Sequence, residues 1–269
     1  MGQSLAIIEC EAAMTSSVAA RLQGFWARKK AAWRTCNGHG DRSASSLRSA
    51  LIASAAALAL WALDVPLGPV HAWLVGLHEL FHAIAAVATG GSVEMIQTSS
   101  DAGGMTLSRG GIYPLISMSG YVGTGALGAL CLRHCGSAWA RAVLLGMCAA
   151  LVAALLATTR SGWGGAAQAL GVSCVVFWLV KGPAGALATG FCGALLLSMG
   201  LSDARVLVEA PSQTDAGLLA AWLGDPWLAW PIALGLMATM ATLWCWALWG
   251  LSKDGRSAMG WLGSSADRR

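Results

Sequence analysis

The stretch PVHAWLVGLHELFHAIAAVAT, residues 69–89, decides how the rest of the chain is read. As a helix rising ~1.5 Å per residue it is long enough to cross the ~30 Å hydrocarbon core of a bilayer. Yet it carries His78, Glu79 and His82 near its middle, spaced as HExxH. On a helix, positions i and i+4 project from one face, so both imidazoles can reach one metal ion while Glu79, one step round, can act on water beside it. A charged group at the centre of a spanning helix costs ~2.5–3.5 kcal/mol on insertion scales, so three ionisable side chains within five residues require a compensating partner. A zinc ion is one. With five His and five Glu in 269 residues, chance would produce this string in on the order of one such sequence in a thousand. The competing reading is a polar patch that bonds across helices, a task usually given to Ser, Thr or Asn.

Outside this stretch the composition fixes the class. Hydrophobic residues make up 56% and charged residues 11% of the chain, against ~25% charged in ordinary globular domains, and mean hydropathy is +0.61. So few charges cannot cover a soluble fold, and disorder, a coiled coil or a disulfide-stapled secreted domain each need a different supply of residues. The chain reads as an all-α membrane protein. Apolar runs over 47–63, 69–89, 112–132, 139–158, 162–180, 183–201 and 227–250 predict a polytopic bundle of six or seven transmembrane helices, with a short polar or β-hairpin insertion after the HExxH helix. Connections as short as Lys181-Gly182-Pro183 favour antiparallel neighbours in one domain. Many of the 14 Trp fall near the expected helix ends, among them Trp61, Trp139, Trp163, Trp227 and Trp249, as an aromatic belt at the headgroups requires.

The division along the chain is a basic N-terminal segment (1–46), a transmembrane domain (47–250) and a polar tail (251–269). Seven of the 17 Lys and Arg lie ahead of Leu51, before or at the start of the first apolar run: Arg21, Arg28, Lys29, Lys30, Arg34, Arg42 and Arg48. The positive-inside tendency therefore places the N-terminus in the cytoplasm, and Lys253, Arg256, Arg268 and Arg269 ask the same of the tail. Seven spans would put the two ends on opposite sides, so either one segment is re-entrant, the 162–201 pair being the candidate, or the tail breaks the tendency. A basic segment beside an anionic leaflet needs no nucleic-acid partner, and none is expected. Of the eight cysteines, Cys148, Cys174, Cys192 and Cys245 lie inside apolar runs, where Cys behaves as a small hydrophobe. No CxxC occurs, and Cys131 and Cys135 around His134 read as buried or interfacial thiols rather than a metal face.

The motif has company. His78-Glu79-Leu80-Phe81-His82-Ala83 is followed by Thr89-Gly90-Gly91, by Gly103-Gly104-Met105-Thr106, and by Gly120-Tyr121-Val122-Gly123 running to Leu127-Gly128-Ala129. In this order and spacing, residues 70–132 resemble the site-2 protease superfamily of membrane-embedded zinc metallopeptidases, in particular its short bacterial branch. Each piece also has a local reading. Gly90-Gly91 is a helix C-terminal stop, Gly120, Thr124 and Gly128 form a small-residue ridge for close helix approach, and Asp101, Arg109 and the serines of 90–111 read most simply as a solvated loop. His71, seven residues before His78, reads as an interfacial histidine, with a relay role as the alternative.

The resemblance implies a zinc endopeptidase in a bacterial inner membrane, acting on a membrane-associated protein within or beside the lipid bilayer, with Glu79 as general base and His78 and His82 as zinc ligands. It also implies that the segment around Gly103 and Gly104 holds an extended substrate by strand addition. A catalytic zinc takes three protein ligands, and no Asp or Glu occurs from Ala102 to Ser202. The candidates for the third are Asp64, Glu94, Asp101, Asp203, Glu209, Asp215 and Asp225. The family's usual Leu-Asp-Gly is absent, so the ligand does not transfer by motif. Thr214-Asp215-Ala216 looks like the late Asp-Ala segment of the short branch, which favours Asp215, with Asp203 second. The missing Leu-Asp-Gly, and Phe81 where the family commonly has Gly, support the alternative of a non-catalytic scaffold or regulator; retention of Glu79 opposes it.

Overall fold

In a computed structural model, residues 41–63, 67–99, 103–159, 163–182, 184–209 and 214–266 are described, with side chains described outside 41–46, 200–209 and 252–266. Cys10, Cys36, Asp64 and Asp101 lie outside the described residues, as do the side chains of Asp203 and Glu209. Ser43–Arg269 forms one compact unit. Its elements run α1 (Asp41–Ala62), α2 (Pro69–Ala88), β1 (Ser92–Thr98), β2 (Gly104–Arg109), α3 (Tyr113–Arg133), α4 (Ala138–Thr158), α5 (Trp163–Lys181), α6 (Gly185–Glu209), α7 (Asp215–Trp222), a 3-10 turn (Pro226–Leu228) and α8 (Ala229–Ala266).

Among the described residues each of the seven expected apolar runs falls on a helix. Among the described residues five helices are long and apolar enough to cross a membrane, and Leu47–Ala62 and Gly185–Met199 are shorter apolar stretches. α6 is nonetheless central. Ala194, Leu195, Leu196, Leu197 and Met199 are all buried, so the helix is covered on every side rather than along one stripe. Its Gly193 meets Gly128 of α3 so closely that a Cβ on either would lie 2.6–2.7 Å from the other's carbonyl oxygen. The ridge on α3 therefore serves two partners, since Gly128 receives α6 while Gly120 faces α2. Beyond these contacts, α8 is tied to α1 by Trp244 Nε1 donating to Ser54 Oγ at 3.1 Å. It is tied to α3 by Arg133, whose guanidinium lies 4.4 Å over the Trp246 ring.

α2 ends where the glycine pair predicts. Gly90 takes φ 86°, a left-handed conformation that only glycine adopts without strain, and its N–H and that of Gly91 return to the carbonyls of Val87 and Ala86. The chain then folds back. β1 and β2 pair antiparallel from Ser92↔Arg109 to Thr98↔Gly104, with an irregularity between Val93 and Met95. The insertion expected as a short polar or β-hairpin segment is thus a hairpin, packed along α2. Ile96 is fully buried, and Arg109 makes an exposed ion pair with Glu94 at 3.2 Å. The outer edge of β1 is taken: Ile96 N–H donates to Thr158 Oγ1 and Ile96 O accepts from Thr159 Oγ1, both at 3.2 Å. At the other end of the chain α8 continues as helix through Ala266, past the boundary expected at residue 250.

Candidate metal centre

His78 and His82 lie one turn apart on α2, and both are buried. Their rings sit 4.7 Å apart, nearly perpendicular. α3 crosses at Gly120, and this close approach requires glycine: a Cβ there would fall on the Nε2 atoms of both histidines. One turn earlier, the Ile116 carbonyl accepts from His82 Nδ1 at 2.6 Å, and Ser119 Oγ donates to the same carbonyl at 2.6 Å. His82 thereby has its tautomer and ring plane fixed from behind.

Asp215 arrives from the far end of the sequence. Its Oδ2 lies 2.9 Å from His78 Nε2 and 3.1 Å from His82 Nε2. Thr214 caps α7, its side chain accepting from Gly217 N–H at 3.1 Å, so Asp215 occupies the first turn. Ser117 of α3 donates to the Asp215 carbonyl at 3.0 Å and fixes the backbone there. Burial alone would push the Asp215 carboxyl up, but hydrogen bonds to His78 and His82 outweigh it and hold the group well below the usual carboxylate range. It stays anionic. The helix bearing Asp215 is separate from the last span, because Gly224 at φ 84° and Pro226 break the run between them. Asp225 caps the 3-10 turn, accepting from Trp227 N–H at 3.0 Å.

Glu79 points to the hairpin side of the same turn. Thr106 Oγ1 lies 2.7 Å from Glu79 Oε2 and 3.0 Å from the Glu79 carbonyl, its single proton shared between two acceptors. Gly104 leaves room for this side chain, since a Cβ there would come within 2.5 Å of Glu79 Oε1 and of Val75 Cγ1. Gly103 closes the hairpin end, its carbonyl accepting from Ser99 N–H at 2.7 Å. Phe81 is accommodated by a compensating position on α3, as any Cβ at Gly123 would strike its ring.

The donor set suits a metal ion. With His82 Nδ1–H committed to Ile116, Nε2 faces Asp215 either as the second N–H of an imidazolium or as a bare lone pair, and a lone pair meeting a carboxylate is the arrangement a cation satisfies. Donor atoms of His78, Glu79 and His82 lie within 4.8 Å of one another, and among the described residues this is the one such grouping of His, Cys, Asp and Glu. The Cys131/His134/Cys135 cluster does not form another: both thiols are buried and His134 packs on Trp139 at 4.9 Å. His71 lies two turns before His78 on α2, about 10 Å along the axis.

A family model described as Peptidase M50B-like matches residues 51–245, the span that contains every residue of this centre. The chain belongs to that family, and so to the site-2 protease superfamily. Comparison with curated proteins and with solved structures gave no match. As an M50B-like chain with five apolar helices of spanning length among its described residues, it is an integral membrane protein of a protease family, and its second helix carries a His/Glu/His group able to hold a metal ion. Sequence reasoning did not find Thr106, Ile116, Ser117 or Ser119. Thr106 lies inside a motif stretch but carried no role, and a backbone carbonyl such as that of Ile116 leaves no signal in a sequence.

Proposed function

We propose that this M50B-like protein is a membrane-embedded zinc metalloendopeptidase, holding zinc through His78 Nε2, His82 Nε2 and Asp215 Oδ2. The observation that carries the reading is the convergence of these three atoms, from helices 133 and more residues apart, on one point beside Glu79. When bound, zinc supplies a Lewis acid that lowers the pKa of water toward ~7 and polarises a carbonyl. Glu79 is the general base: it takes a proton from the attacking water and delivers it to the leaving amine. Thr106 holds Oε2, which leaves Oε1 for that transfer.

The hairpin supplies the substrate track. Because the Ile96 backbone bonds outward to α4, its partner Thr106 is in a pair whose N–H and C=O also face away from the ladder. On β2 that direction is an edge with no further strand among the described residues. An unwound stretch of a membrane-associated protein adds to this edge beside Gly103 and Gly104, its carbonyl carried toward Glu79. The test is the zinc content of purified protein. The parent is expected to hold one zinc per chain, with loss in His78→Ala and His82→Ala and weakened retention in Asp215→Ala. A parent without stoichiometric zinc overturns the reading.

A further inference from the structure

The two ring ligands are held differently. His82 has Ile116 O on Nδ1 at 2.6 Å and Ser119 Oγ at 3.4 Å. His78 has nothing comparable: its Nδ1 is buried and without a hydrogen-bond partner among the described residues. A metal-binding imidazole ordinarily has its second nitrogen bonded to a carboxylate, carbonyl or water, which fixes ring rotation, and loss of that support costs 10–100-fold in metal affinity. For His78 the orientation has to come from packing. One wall is the His82 ring at 4.7 Å and 79°, itself a ligand. The other is Tyr121, whose ring centroid lies 4.6 Å from that of His78 at 80°, an edge-to-face pair. Gly120, next in the chain, lets α3 come close enough for this contact.

We propose that Tyr121 is the positioning residue for His78, its aromatic ring standing in for the absent hydrogen bond on Nδ1. The proposal rests on the metal-centre reading above. It assigns the role to the ring and not to the hydroxyl, and it explains why only one of two adjacent ligands has a backbone partner. Only two Tyr occur in the chain, and the other, Tyr113, packs against Trp222 at the end of α7, the helix that bears Asp215.

The experiment compares Tyr121→Phe with Tyr121→Met in the full chain, purified in detergent. Co2+ is titrated against a chelator, and the cobalt d–d absorption is recorded. Tyr121→Phe should match the parent in affinity within about twofold and in band positions. Tyr121→Met, a long apolar side chain without a ring, should weaken Co2+ binding about tenfold or more and shift the bands. Parent-like affinity and spectrum in Tyr121→Met overturn the proposal, and so does a loss in Tyr121→Phe equal to that in Tyr121→Met. If Tyr121→Met does not fold, Tyr121→Leu is read in its place. A parent that binds no Co2+ removes the metal centre itself, a result distinct from either failure.

Discussion

At the scale of single residues the proposed centre assigns holding to three groups and the reaction to a fourth. Glu79 is not counted among the proposed ligands, so Glu79→Gln should keep the parent's zinc content while cleavage of a fluorogenic transmembrane peptide falls by ~10²–10⁴, the worth of a positioned general base. A variant that cleaves at the parent rate would end the assignment of Glu79. Thr106 gives a finer test, because its hydroxyl sits 2.7 Å from Oε2. Thr106→Val should lower kcat about tenfold or more, the worth of ~1.5–3 kcal/mol for a hydrogen bond to a charged group, with zinc content unchanged. Asp215 and Asp203 separate in the same assay. Asp215→Ala should weaken zinc retention and remove activity, while Asp203→Ala should be mild; the opposite pattern transfers the role.

At the scale of elements, function depends on how close α3 comes to α2. The contact is set by glycines with different neighbours, which makes them separable. At Gly120 a Cβ falls on the proposed ligand nitrogens, whereas at Gly146 in α4 nothing lies within 4 Å. Gly120→Ala should therefore lose metal binding. Gly146→Ala should leave it intact and stabilise the chain by up to ~1 kcal/mol through helix propensity, read as a small rise in Tm. Equal metal affinity in Gly120→Ala and parent would mean that the helices yield at this crossing. The hairpin is the second decisive element. It was legible as a polar interruption with glycines at both ends, but its burial was not, because alternate residues such as Val93, Met95 and Gln97 give no clear inward face. Packing of Ile96 under α4 and of Thr106 on Glu79 sets that face.

At the scale of the whole molecule the basic residues of the helix ends gather at one end of the bundle. Arg133 closes α3, and a four-residue turn leads to α4 with Arg141. Arg141 Nη1 would lie 3.1 Å from a Cβ on Gly185, at the turn that follows Lys181. Positive-inside distribution predicts that this end faces the cytoplasm. Cysteine labelling in chains with one cysteine each should then find Gly182→Cys reachable from the cytoplasmic side alone. Labelling of Gly182→Cys from outside intact cells would invert the bundle. Because the centre joins α2 to α7 across the sequence, zinc should also stabilise the fold as a whole, by ~2.7 kcal/mol at a free concentration 100 times Kd, and a chelator should lower Tm accordingly.

The sequence alone determined the class and half of the centre. Sparse charge and long apolar runs allow only a membrane bundle, and His78, Glu79 and His82 sit on one turn, where helical periodicity places them without reference to any other element. The Gly90 stop was equally local, since a left-handed residue needs no partner elsewhere. The carboxylate-free stretch before Ser202 narrowed the acid that faces the histidines to a few candidates, and the resemblance of Thr214-Asp215-Ala216 to the short branch favoured Asp215 among them. Only tertiary packing brings Asp215 to within 2.9 Å of His78, because that contact depends on α3 and α7 meeting through Ser117 and on a break at Gly224 that detaches α7 from the last span. The supports of the two imidazoles are decided at the same level. A carbonyl for His82 and a ring for His78 come from one turn and a half of α3, and they face α2 because glycine at position 120 lets the two backbones approach.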